Sequence, residues 1–459
     1  MTPFSVFARW RPLTPSESPI EIPRTTSQKD TSFSISLTSP CRQNKPWTSG
    51  ASFTQIFNPT DTNQTVFQHV VAPYLPQVLN GETCNFFAYG HSGSGKSHTI
   101  IGYDYEHSDE FGLCLSAAYH IFTELDRLNA QNTSKQETDP LGLGLRIYEL
   151  RHKTAFDLLN ARTACHIRSG ADGRTHIRGE TETLENGKVR VRPIQTKSCW
   201  SFEDLRRSLL SGLALRATGS SSVHDQSSRT HAVLDLEIIT KSLLDARKAV
   251  IERQSELVPV GKRATDIYIE ETAKGVIKTA EGKYIPNPAY QVNQALINEA
   301  EAEKARFEER VQAAENHIID VTRACPHKCL SGKLIFVDLA GSEYYHDKST
   351  LTPQASSSLP KQTPQEQREG RQINTDLLAL KEVIRALATN QPRIPFRSSP
   401  LTMVLREHFV NADSNDGNGD GGGGHSAMIL TVSPAADQYA ATMNTLKYGN
   451  LMGGAGMKR

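Results

Sequence analysis

The feature that most restricts the fold is a glycine-rich segment that comes directly after an apolar run at residues 85–89. Its pattern is G-x-x-x-x-G-K-[ST], and its members are Gly90, His91, Ser92, Gly93, Ser94, Gly95, Lys96 and Ser97. The glycines let backbone N–H groups approach phosphate oxygens, while Lys96 supplies a cation and Ser97 a hydroxyl ligand for magnesium. The segment predicts a phosphate-binding loop for a nucleotide with Mg²⁺. A chance glycine-rich turn is the alternative, and the preceding strand argues against it.

Strand patterns recur along the chain, at residues 5–8, 85–89, 145–150, 232–239, 334–339 and 427–432. Two of them are nearly continuous apolar runs, as expected of strands that helices cover on both faces. The run at 232–239 alternates, with Asp235 and Glu237 opposite three aliphatic residues, which predicts a strand near the rim of the sheet. Together these patterns predict a three-layer α/β P-loop NTPase fold, with a central, mostly parallel or mixed sheet and helices on both faces.

Two stretches interrupt this alternation. Residues 240–332 are charged and alanine-rich, and we interpret them as a helical subdomain or hairpin inserted into one domain that spans residues 1–459. An apolar stripe at helical spacing follows Phe307, Val311, Ala314, Ile318 and Val321. A dimerising coiled coil is the alternative, although the stripe covers few heptads. Residues 411–425 are rich in glycine and predict a flexible surface loop.

Composition and charge restrict the partners and the compartment. The sequence has no run of 18 apolar residues and no pattern of a secretory signal, so we expect no membrane span and a location in the cytoplasm or nucleus. A net charge of +1 gives no general attraction to nucleic acid. The seven cysteines fit a reducing compartment. Cys325 and Cys329 are clustered around His327, but a zinc site needs further ligands, which favours a plain loop.

Two further segments carry the groups with which a protein senses the terminal phosphate of a nucleotide: hydroxyls, a carboxylate and a closely approaching glycine. The first is Asp-Leu-Ala-Gly-Ser-Glu, which begins at Asp338 and contains Gly341 and Glu343. Because it ends an apolar strand, Asp338 arrives at the carboxyl edge of the sheet, where it can bind magnesium through water. The second segment precedes the strand at 232–239 and consists of Ser227, Ser228, Arg229, Thr230 and His231.

In their order and spacing, these segments and the phosphate-binding loop resemble the P-loop, switch I and switch II of kinesin motor domains. Other segments similar to that family cover the chain outside the two interruptions. They are Arg9-Trp10-Arg11-Pro12, residues 87–90, His98, and residues 147–149, 157–159, 369–374, 377, 394–397 and 444–448.

The resemblance implies a microtubule-dependent ATPase with ATP and Mg²⁺ as its ligands. Arg9, Arg11 and Pro12 would lie on the adenine side, and His98 would follow the loop beside the nucleotide. Ser228 would join Ser97 and Asp338 at magnesium, while Ser227 would contact the γ-phosphate or the attacking water. The Gly341 N–H would contact the γ-phosphate, and a salt bridge from Arg229 to Glu343 would close the two switches.

The same resemblance implies microtubule contact through residues 365–410, and hence a place on the cytoskeleton, with the spindle or nucleus as further locations. This region predicts a helix whose apolar stripe contains Ile373, Leu377, Leu380, Ile384 and Leu387. Residues 361–410 hold eight Lys or Arg against five Asp or Glu, a net charge of +3. Such a surplus is weak support by itself, because most charge runs are solvated faces.

Several positions depart from the family pattern. His224 stands where asparagine is usual, Thr230 replaces a serine, and Ser97 replaces a threonine but keeps the hydroxyl. Pro400 and Met403 replace a lysine and an arginine. These departures support an alternative function, a microtubule-binding module that binds nucleotide but hydrolyses it weakly and does not move.

Two further comparisons concern the class of protein. A P-loop GTPase of another family is disfavoured, because the sequence has no N-K-x-D-type guanine motif. Among kinesins, residues 377–387, 395–397 and 404–409 are most similar to the internal-motor kinesins that depolymerise microtubules. Those motors carry a Lys-Val-Asp triplet on an early hairpin, and residues 16–52 lack it, which argues against depolymerisation. The resemblance predicts no oligomeric state.

Overall fold

The structure is a computed structural model of the chain. It describes residues 4–18, 25–29, 32–37, 46–132, 139–170, 175–216, 229–280, 282–342, 364–389, 391–410 and 424–456. The chain forms two compact units. Unit 1 comprises Met1–Ile177, Ile194–Ile238 and Lys328–Arg459, and unit 2 comprises Arg178–Pro193 and Ile239–His327.

Seventeen strands and ten α-helices occur in the described residues. The strands are β1 (Phe4–Trp10), β2 (Thr25–Lys29), β3 (Ser32–Leu37), β4 (Trp47–Thr48), β5 (Gln55–Phe57), β6 (Thr83–Tyr89), β7 (Gly142–Arg151), β8 (Thr154–Asp157), β9 (Thr163–Ser169), β10 (Thr175–Thr183), β11 (Val189–Pro193), β12 (Lys197–Cys199), β13 (His231–Ile239), β14 (Val276–Lys278), β15 (Tyr284–Pro286), β16 (Lys333–Asp338) and β17 (Ser426–Val432). The α-helices are α1 (Asn63–Val70), α2 (Leu75–Val78), α3 (Lys96–Ile100), α4 (Leu113–Asn132), α5 (Phe202–Arg216), α6 (Lys241–Lys274), α7 (Gln294–Ala324), α8 (Pro364–Ala388), α9 (Pro400–Val410) and α10 (Tyr439–Gly456). Short 3-10 helices lie at Ala72–Tyr74, Ser108–Glu110, Glu185–Gly187, Phe396–Ser398 and Ala436–Gln438.

Unit 1 is built on a mixed sheet. Its strands follow the order β9-β8-β7-β13-β16-β6-β17-β1-β5, and β12 also pairs with β7. The five strands from β16 to β5 are parallel to one another, whereas β13 is antiparallel to β16. Because β6 and β16 are parallel neighbours, the segments that follow them leave the sheet at the same edge.

Helices cover both faces of this sheet. Since successive residues of a strand point to opposite sides, neighbouring residues pack against different sets of helices. Phe86 and Phe336 pack in one cluster with apolar residues of α1, α4 and α5, and their ring centroids are 5.3 Å apart. Phe87 and Val337 belong to a second cluster with residues of α8, α9 and α10. The predicted three-layer α/β fold is confirmed, and all six predicted strands are present.

The prediction that residues 232–239 form a rim strand is wrong. β13 lies inside the sheet between β7 and β16, and all nine of its residues are buried. Its acidic residues face opposite charges on the neighbouring strands. Arg146 Nη2 lies 2.7 Å from Asp235 Oδ2 and 3.1 Å from Glu237 Oε2, and Lys333 Nζ lies 3.5 Å from Glu237 Oε1. The alternation therefore reflects ion pairs inside the sheet and not a solvent-exposed face.

Unit 2 consists of the β10–β11 pairing from residue 178 onward, the long helices α6 and α7, and the hairpin of β14 and β15. In it, α6 packs against α7 and β11. The predicted stripe from Phe307 to Val321 lies on α7, and all five of its members are half-buried while most residues between them are exposed. Glu271 on α6 accepts hydrogen bonds from the Tyr290 hydroxyl and the Asn293 N–H.

Unit 2 contains most of residues 240–332 and adds residues 178–193. The interpretation of that stretch as an insertion stays a prediction. Of the predicted flexible loop at 411–425, residues 411–423 lie outside the described residues. In the parts of the chain that the structure describes, no helix is both long and apolar enough to cross a bilayer.

Candidate functional site

The phosphate-binding loop joins the end of β6, at Tyr89, to the start of α3, at Lys96. Gly93 and Gly95 have φ values of +74° and +100°, in the left-handed region that glycine adopts readily. Gly90 has no room for a side chain, because a Cβ there would lie 2.3 Å from the Thr431 carbonyl oxygen of β17. The loop is thus held tightly at its start and has the backbone conformation that only its glycines allow easily.

The last two residues of the loop have defined polar contacts. Lys96 is buried, and its Nζ donates a hydrogen bond to the His91 carbonyl oxygen at 2.8 Å. Ser97 Oγ donates to Asp338 Oδ2 at 2.7 Å. Asp338 ends β16 directly opposite Ala88 of β6, so the parallel register brings the loop and the second segment together. Burial lowers the pKa of His91 to about 4, so its ring is neutral.

The turn that follows Asp338 is held in place by hydrogen bonds that its backbone N–H groups donate. Three of the four N–H groups of residues 339–342 are hydrogen-bonded, with Ala88 O as acceptor for Leu339 (3.2 Å), His231 Nδ1 for Ala340 (3.0 Å) and Gly90 O for Ser342 (3.2 Å). Among the described residues, the Gly341 N–H has no acceptor. A Cβ on Gly341 would lie 2.7 Å from the Ser92 nitrogen, so only glycine fits against the loop.

Arg216, the last residue of α5, belongs to the site but was not among the predicted residues. It is buried, and its Nη1 donates to Asp338 Oδ2 at 2.8 Å. Its Nη2 donates to the Thr230 carbonyl oxygen at 3.0 Å. Arg216 thereby connects Asp338 to the segment that contains Arg229. Its only sequence signal is an arginine at the end of a helix, which is a common position for stabilising the helix dipole.

The residues at Asp338 fit a magnesium ion. Asp338 Oδ1 is buried and has no hydrogen-bond partner among the described residues. A buried carboxylate oxygen of this kind is suited to accept from an ordered water, and Mg²⁺ usually keeps several waters beside one or two protein oxygens. The Ser97 hydroxyl and the Asp338 carboxylate are therefore a suitable donor set.

A zinc site at Cys325, His327 and Cys329 has no support. In the described part of the chain, no group of three or more His, Cys, Asp or Glu side chains is arranged to hold a metal. In the same part of the chain, neither Cys325 nor Cys329 forms a disulfide. The interpretation of this segment as a plain loop stays a prediction.

Arg9 and Arg11, predicted on the adenine side, have different surroundings. Arg9 is buried, and its Nη1 donates to Asn63 Oδ1 at 2.7 Å and to Thr99 Oγ1 at 2.9 Å. Burial lowers its pKa only to about 10, so it stays charged at neutral pH. Arg11 forms a two-fold contact with Glu17 and lowers the pKa of that carboxyl to about 2. Through its hydrogen bonds to Asn63 and Thr99, Arg9 joins β1 to α1 and α3.

Three other predicted residues of the loop and its surroundings are also described. The Ser94 and Thr431 hydroxyls are hydrogen-bonded at 2.7 Å. Pro12 is exposed, and the ring of half-buried His98 lies 5.3 Å from that of Tyr103, centroid to centroid. Burial lowers the pKa of His98 to about 4. Contact of Arg9, Arg11, Pro12 or His98 with a base stays a prediction.

Ser227, Ser228 and Glu343 lie outside the described residues, as does His224. Arg229 is described and half-buried, and it lines a small cavity with His231, Glu369 and Asp376, among others. The predicted bridge between Arg229 and Glu343, and the roles of the two serines, stay predictions.

A family profile described as the kinesin motor domain matches residues 9–261 and 308–453. The chain is 26% identical over 398 residues to the human kinesin-like protein KIF24, and 25% identical over the same length to its mouse counterpart. Each alignment covers 87% of this chain but only 19% and 20% of the relatives, so the chain spans about a fifth of their length.

Solved kinesin motor domains have the same fold. The motor domain of the Kar3-like kinesin from Ashbya gossypii has a TM-score of 0.56 at 18% identity, with 98% of this chain and 99% of that chain covered. The motor domain of Saccharomyces cerevisiae Kar3 has a TM-score of 0.58 at 19% identity, with the same coverage.

The profile match covers most of the chain and includes the phosphate-binding loop, the turn after Asp338 and the Ser-Ser-Arg-Thr-His segment. Residues 262–307, which it leaves out, lie in unit 2. As a family, kinesin motor domains bind nucleotide with Mg²⁺, associate with microtubules and act as ATP-driven motors. This chain belongs to the kinesin motor domain family.

Proposed function

We propose that this chain is an ATP-hydrolysing, microtubule-binding motor domain in which switch I and switch II report the state of the γ-phosphate to a microtubule-binding helix. The observation that carries the proposal is the pair of contacts on Asp338 Oδ2, with Ser97 Oγ at 2.7 Å and Arg216 Nη1 at 2.8 Å. Through this one oxygen, the phosphate-binding loop, the end of β16 and the helix before switch I are joined. A change at any of them therefore reaches the other two.

The chain's own residues have distinct tasks in this proposal. Lys96 and the backbone N–H groups of the loop bind the phosphates, and Ser97, Ser228 and Asp338 hold Mg²⁺, with Asp338 acting through water. The Gly341 N–H donates to the γ-phosphate, and Ser227 orients the attacking water. Arg229 and Glu343 close the two switches over it. The bound ion supplies positive charge that balances the charge on the phosphates.

The proposed microtubule surface is residues 365–410, which we call the filament face. Helix α8 follows switch II along the chain, and its apolar stripe is buried at Ile373, Leu377, Leu380 and Ile384. Arg385, Arg393 and Arg397 are exposed. Exposed cations of this kind suit an acidic surface such as that of tubulin.

Helix α8 is also attached to the sheet. Arg151 Nη2, at the end of β7, lies 2.5 Å from Glu369 Oε1 near the start of α8. A shift of the switch II segment would therefore be transmitted to a helix that this ion pair connects to β7. For localisation, we propose the microtubule cytoskeleton, including the spindle, or the nucleus.

A second candidate function is a module that binds nucleotide and microtubules but hydrolyses weakly. Two observations favour it. Pro400 is the first residue of α9 and Met403 is half-buried, so neither adds a cation where the family has two. His224 replaces the usual asparagine of switch I.

Phosphate release with and without microtubules distinguishes these candidates. We expect microtubules to stimulate ATP turnover severalfold and ATP to be preferred over GTP. Tight co-sedimentation with microtubules but no stimulation would favour the second candidate. In gliding assays we expect movement, while shrinkage of labelled microtubules would indicate a depolymerase.

The Lys96→Ala variant tests the assignment of the nucleotide pocket. Lys96 is the buried cation of the loop, so its removal is expected to abolish measurable ATP binding. Nucleotide affinity is measured by titration with a fluorescent ATP analogue, and thermal unfolding serves as the control for folding. Unchanged affinity in a folded variant would contradict the assignment of the pocket.

A further inference from the structure

His231 lies where the two switches meet. It is the last residue of the Ser-Ser-Arg-Thr-His segment and the first residue of β13. Its side chain is buried, with 3% of the residue exposed. The Ala340 N–H of the switch II turn donates to its Nδ1 at 3.0 Å. A side chain of one switch therefore binds the backbone of the other.

The state of this ring follows from the contact. Since Nδ1 accepts a hydrogen bond, the neutral ring carries its hydrogen on Nε2. Burial, together with the positive charges of Arg216 and Lys96, lowers the pKa of His231 to about 3. The ring is accordingly neutral at physiological pH, and Nδ1 stays an acceptor.

No backbone group of the antiparallel ladder replaces this acceptor. The pairing of β13 with β16 ends at Ala232 opposite Asp338, one residue short of His231. Ala340 is fully buried, so without the ring its N–H would lose the one acceptor that it has among the described residues. An unpaired buried N–H destabilises a structure by about 1–3 kcal/mol, which is enough to displace a short turn.

The next residue has little tolerance for such a displacement. Gly341 packs so closely on the loop that a Cβ would lie 2.7 Å from the Ser92 nitrogen. The N–H groups on either side of it are hydrogen-bonded, to His231 and to the Gly90 carbonyl oxygen. The Gly341 N–H shares a peptide plane with the Ala340 carbonyl, and this plane is joined to the one that carries the Ala340 N–H through the φ and ψ angles of Ala340, so a displaced Ala340 would redirect the Gly341 N–H.

We infer that His231 is a positioning residue for the recognition of the γ-phosphate, because its ring holds Ala340 and thereby directs the Gly341 N–H. It acts through the backbone and need not touch the nucleotide. The inference rests on the proposed function, in which the Gly341 N–H contacts the γ-phosphate. Beyond that function, the inference means that switch I sets the geometry of switch II even when the proposed salt bridge between Arg229 and Glu343 is not formed.

His231→Asn and His231→Leu form the matched pair that tests this role. The Asn side-chain oxygen can stand close to the position of Nδ1 and accept the same bond, whereas Leu has similar bulk and no acceptor. The first measurement is the ratio of the dissociation constants for ADP and a non-hydrolysable ATP analogue, which reports recognition of the γ-phosphate without turnover. We expect Leu to reduce the preference for the ATP analogue about 10-fold and Asn to restore most of it.

Two further measurements separate positioning from packing. In the Leu variant, kcat should fall about 10-fold or more, KM for ATP should rise in step with the weaker binding of the analogue, and hydrogen exchange at Ala340 should accelerate. Equal losses in Asn and Leu, or a Leu variant with the wild-type preference and exchange rate, would overturn the inference. If the Leu variant does not fold, the Asn variant decides, since a full loss of preference in folded Asn contradicts the role of the acceptor.

Failure of the proposed function gives a different result. A wild-type chain without ATP turnover would contradict that function, whereas the analogue-to-ADP ratio and the exchange rate at Ala340 would still test His231.

Discussion

The phosphate corner, defined as residues 90–97, Arg216 and residues 338–342, contrasts with the filament face. In the corner, polar groups are hydrogen-bonded within the protein, as at buried Lys96 and Asp338 and half-buried Ser97. On the filament face, the arginines at 385, 393 and 397 are exposed to solvent. The function proposed for the corner therefore depends on the positions of individual atoms, whereas the function proposed for the filament face depends on its total charge.

This difference has a practical meaning for substitutions. A hydrogen bond that aims a donor at a phosphate is effective only within a narrow range of distance and angle, so one altered residue can remove most of the activity. Exposed charges act at longer range and are screened by salt, so each contributes a modest and roughly additive share. The three predictions below test this contrast, beginning with the largest expected effect.

Gly341→Ala should have the largest effect, because the added Cβ would lie 2.7 Å from the Ser92 nitrogen and displace the turn. We expect ATP turnover to fall about 100-fold or more, while ADP binding, which does not use the contact of the Gly341 N–H with the γ-phosphate, falls much less. Phosphate-release and ADP-titration measurements check this. ATP turnover within a few-fold of wild type would show that the corner tolerates movement. It would contradict the proposed difference between the corner and the filament face.

Asp376→Asn tests whether the inner side of α8 resembles the corner. Asp376 is buried, burial raises its pKa to about 6, and Gln372 donates to it at 3.1 Å. The folded state therefore binds its proton more tightly than the unfolded chain does, so the free energy of unfolding falls as pH rises from about 4 to about 6 and stays low above that. The neutral Asn avoids this loss and should stabilise the chain by up to about 3 kcal/mol at pH 8.

At pH 4, where Asp376 of the folded wild type is protonated and neutral like the Asn that replaces it, the two proteins should have nearly equal stability. Urea denaturation at both pH values gives the comparison. An Asn variant that is no more stable at pH 8 would show that the carboxylate is well solvated.

Arg393→Ala and Arg397→Ala should have the smallest effects. Each removes one exposed cation from the filament face, so microtubule affinity should fall about two- to fivefold and the loss should shrink at high salt. Arg127→Ala, an exposed arginine of α4 paired with Glu124, serves as the control outside the face. Co-sedimentation at two salt concentrations measures the effect. Equal losses in the control would contradict the assignment of the face.

The elements that could be predicted are those with local signals. The loop at 90–97 has a motif with a required context, and the strands at 85–89 and 334–339 have nearly continuous apolar runs, so the place of the loop at the edge of the sheet could be predicted from the sequence. Asp338 could be placed beside Ser97 because parallel strands deliver their carboxyl ends to one edge.

The remaining features depend on partners that are distant in the sequence. Arg216 and His231 act through Asp338 and Ala340, more than a hundred residues away, and no local periodicity reveals such pairs. The position of β13 was mispredicted for the same reason, because Arg146 and Lys333 compensate Asp235 and Glu237 from other strands. Single-sequence patterns report the polarity of a residue but not the polarity of its neighbours.

Those four charged residues of β7, β13 and β16 also influence how the sheet assembles. A slip of β13 by one residue would turn each acid to the opposite face and leave buried charges without counterions, which destabilises by several kcal/mol. Apolar contacts alone discriminate poorly between such registers. The ion pairs therefore favour the observed register of β13 with β16. In this register the ring of His231 lies within hydrogen-bond distance of the Ala340 N–H in the switch II turn.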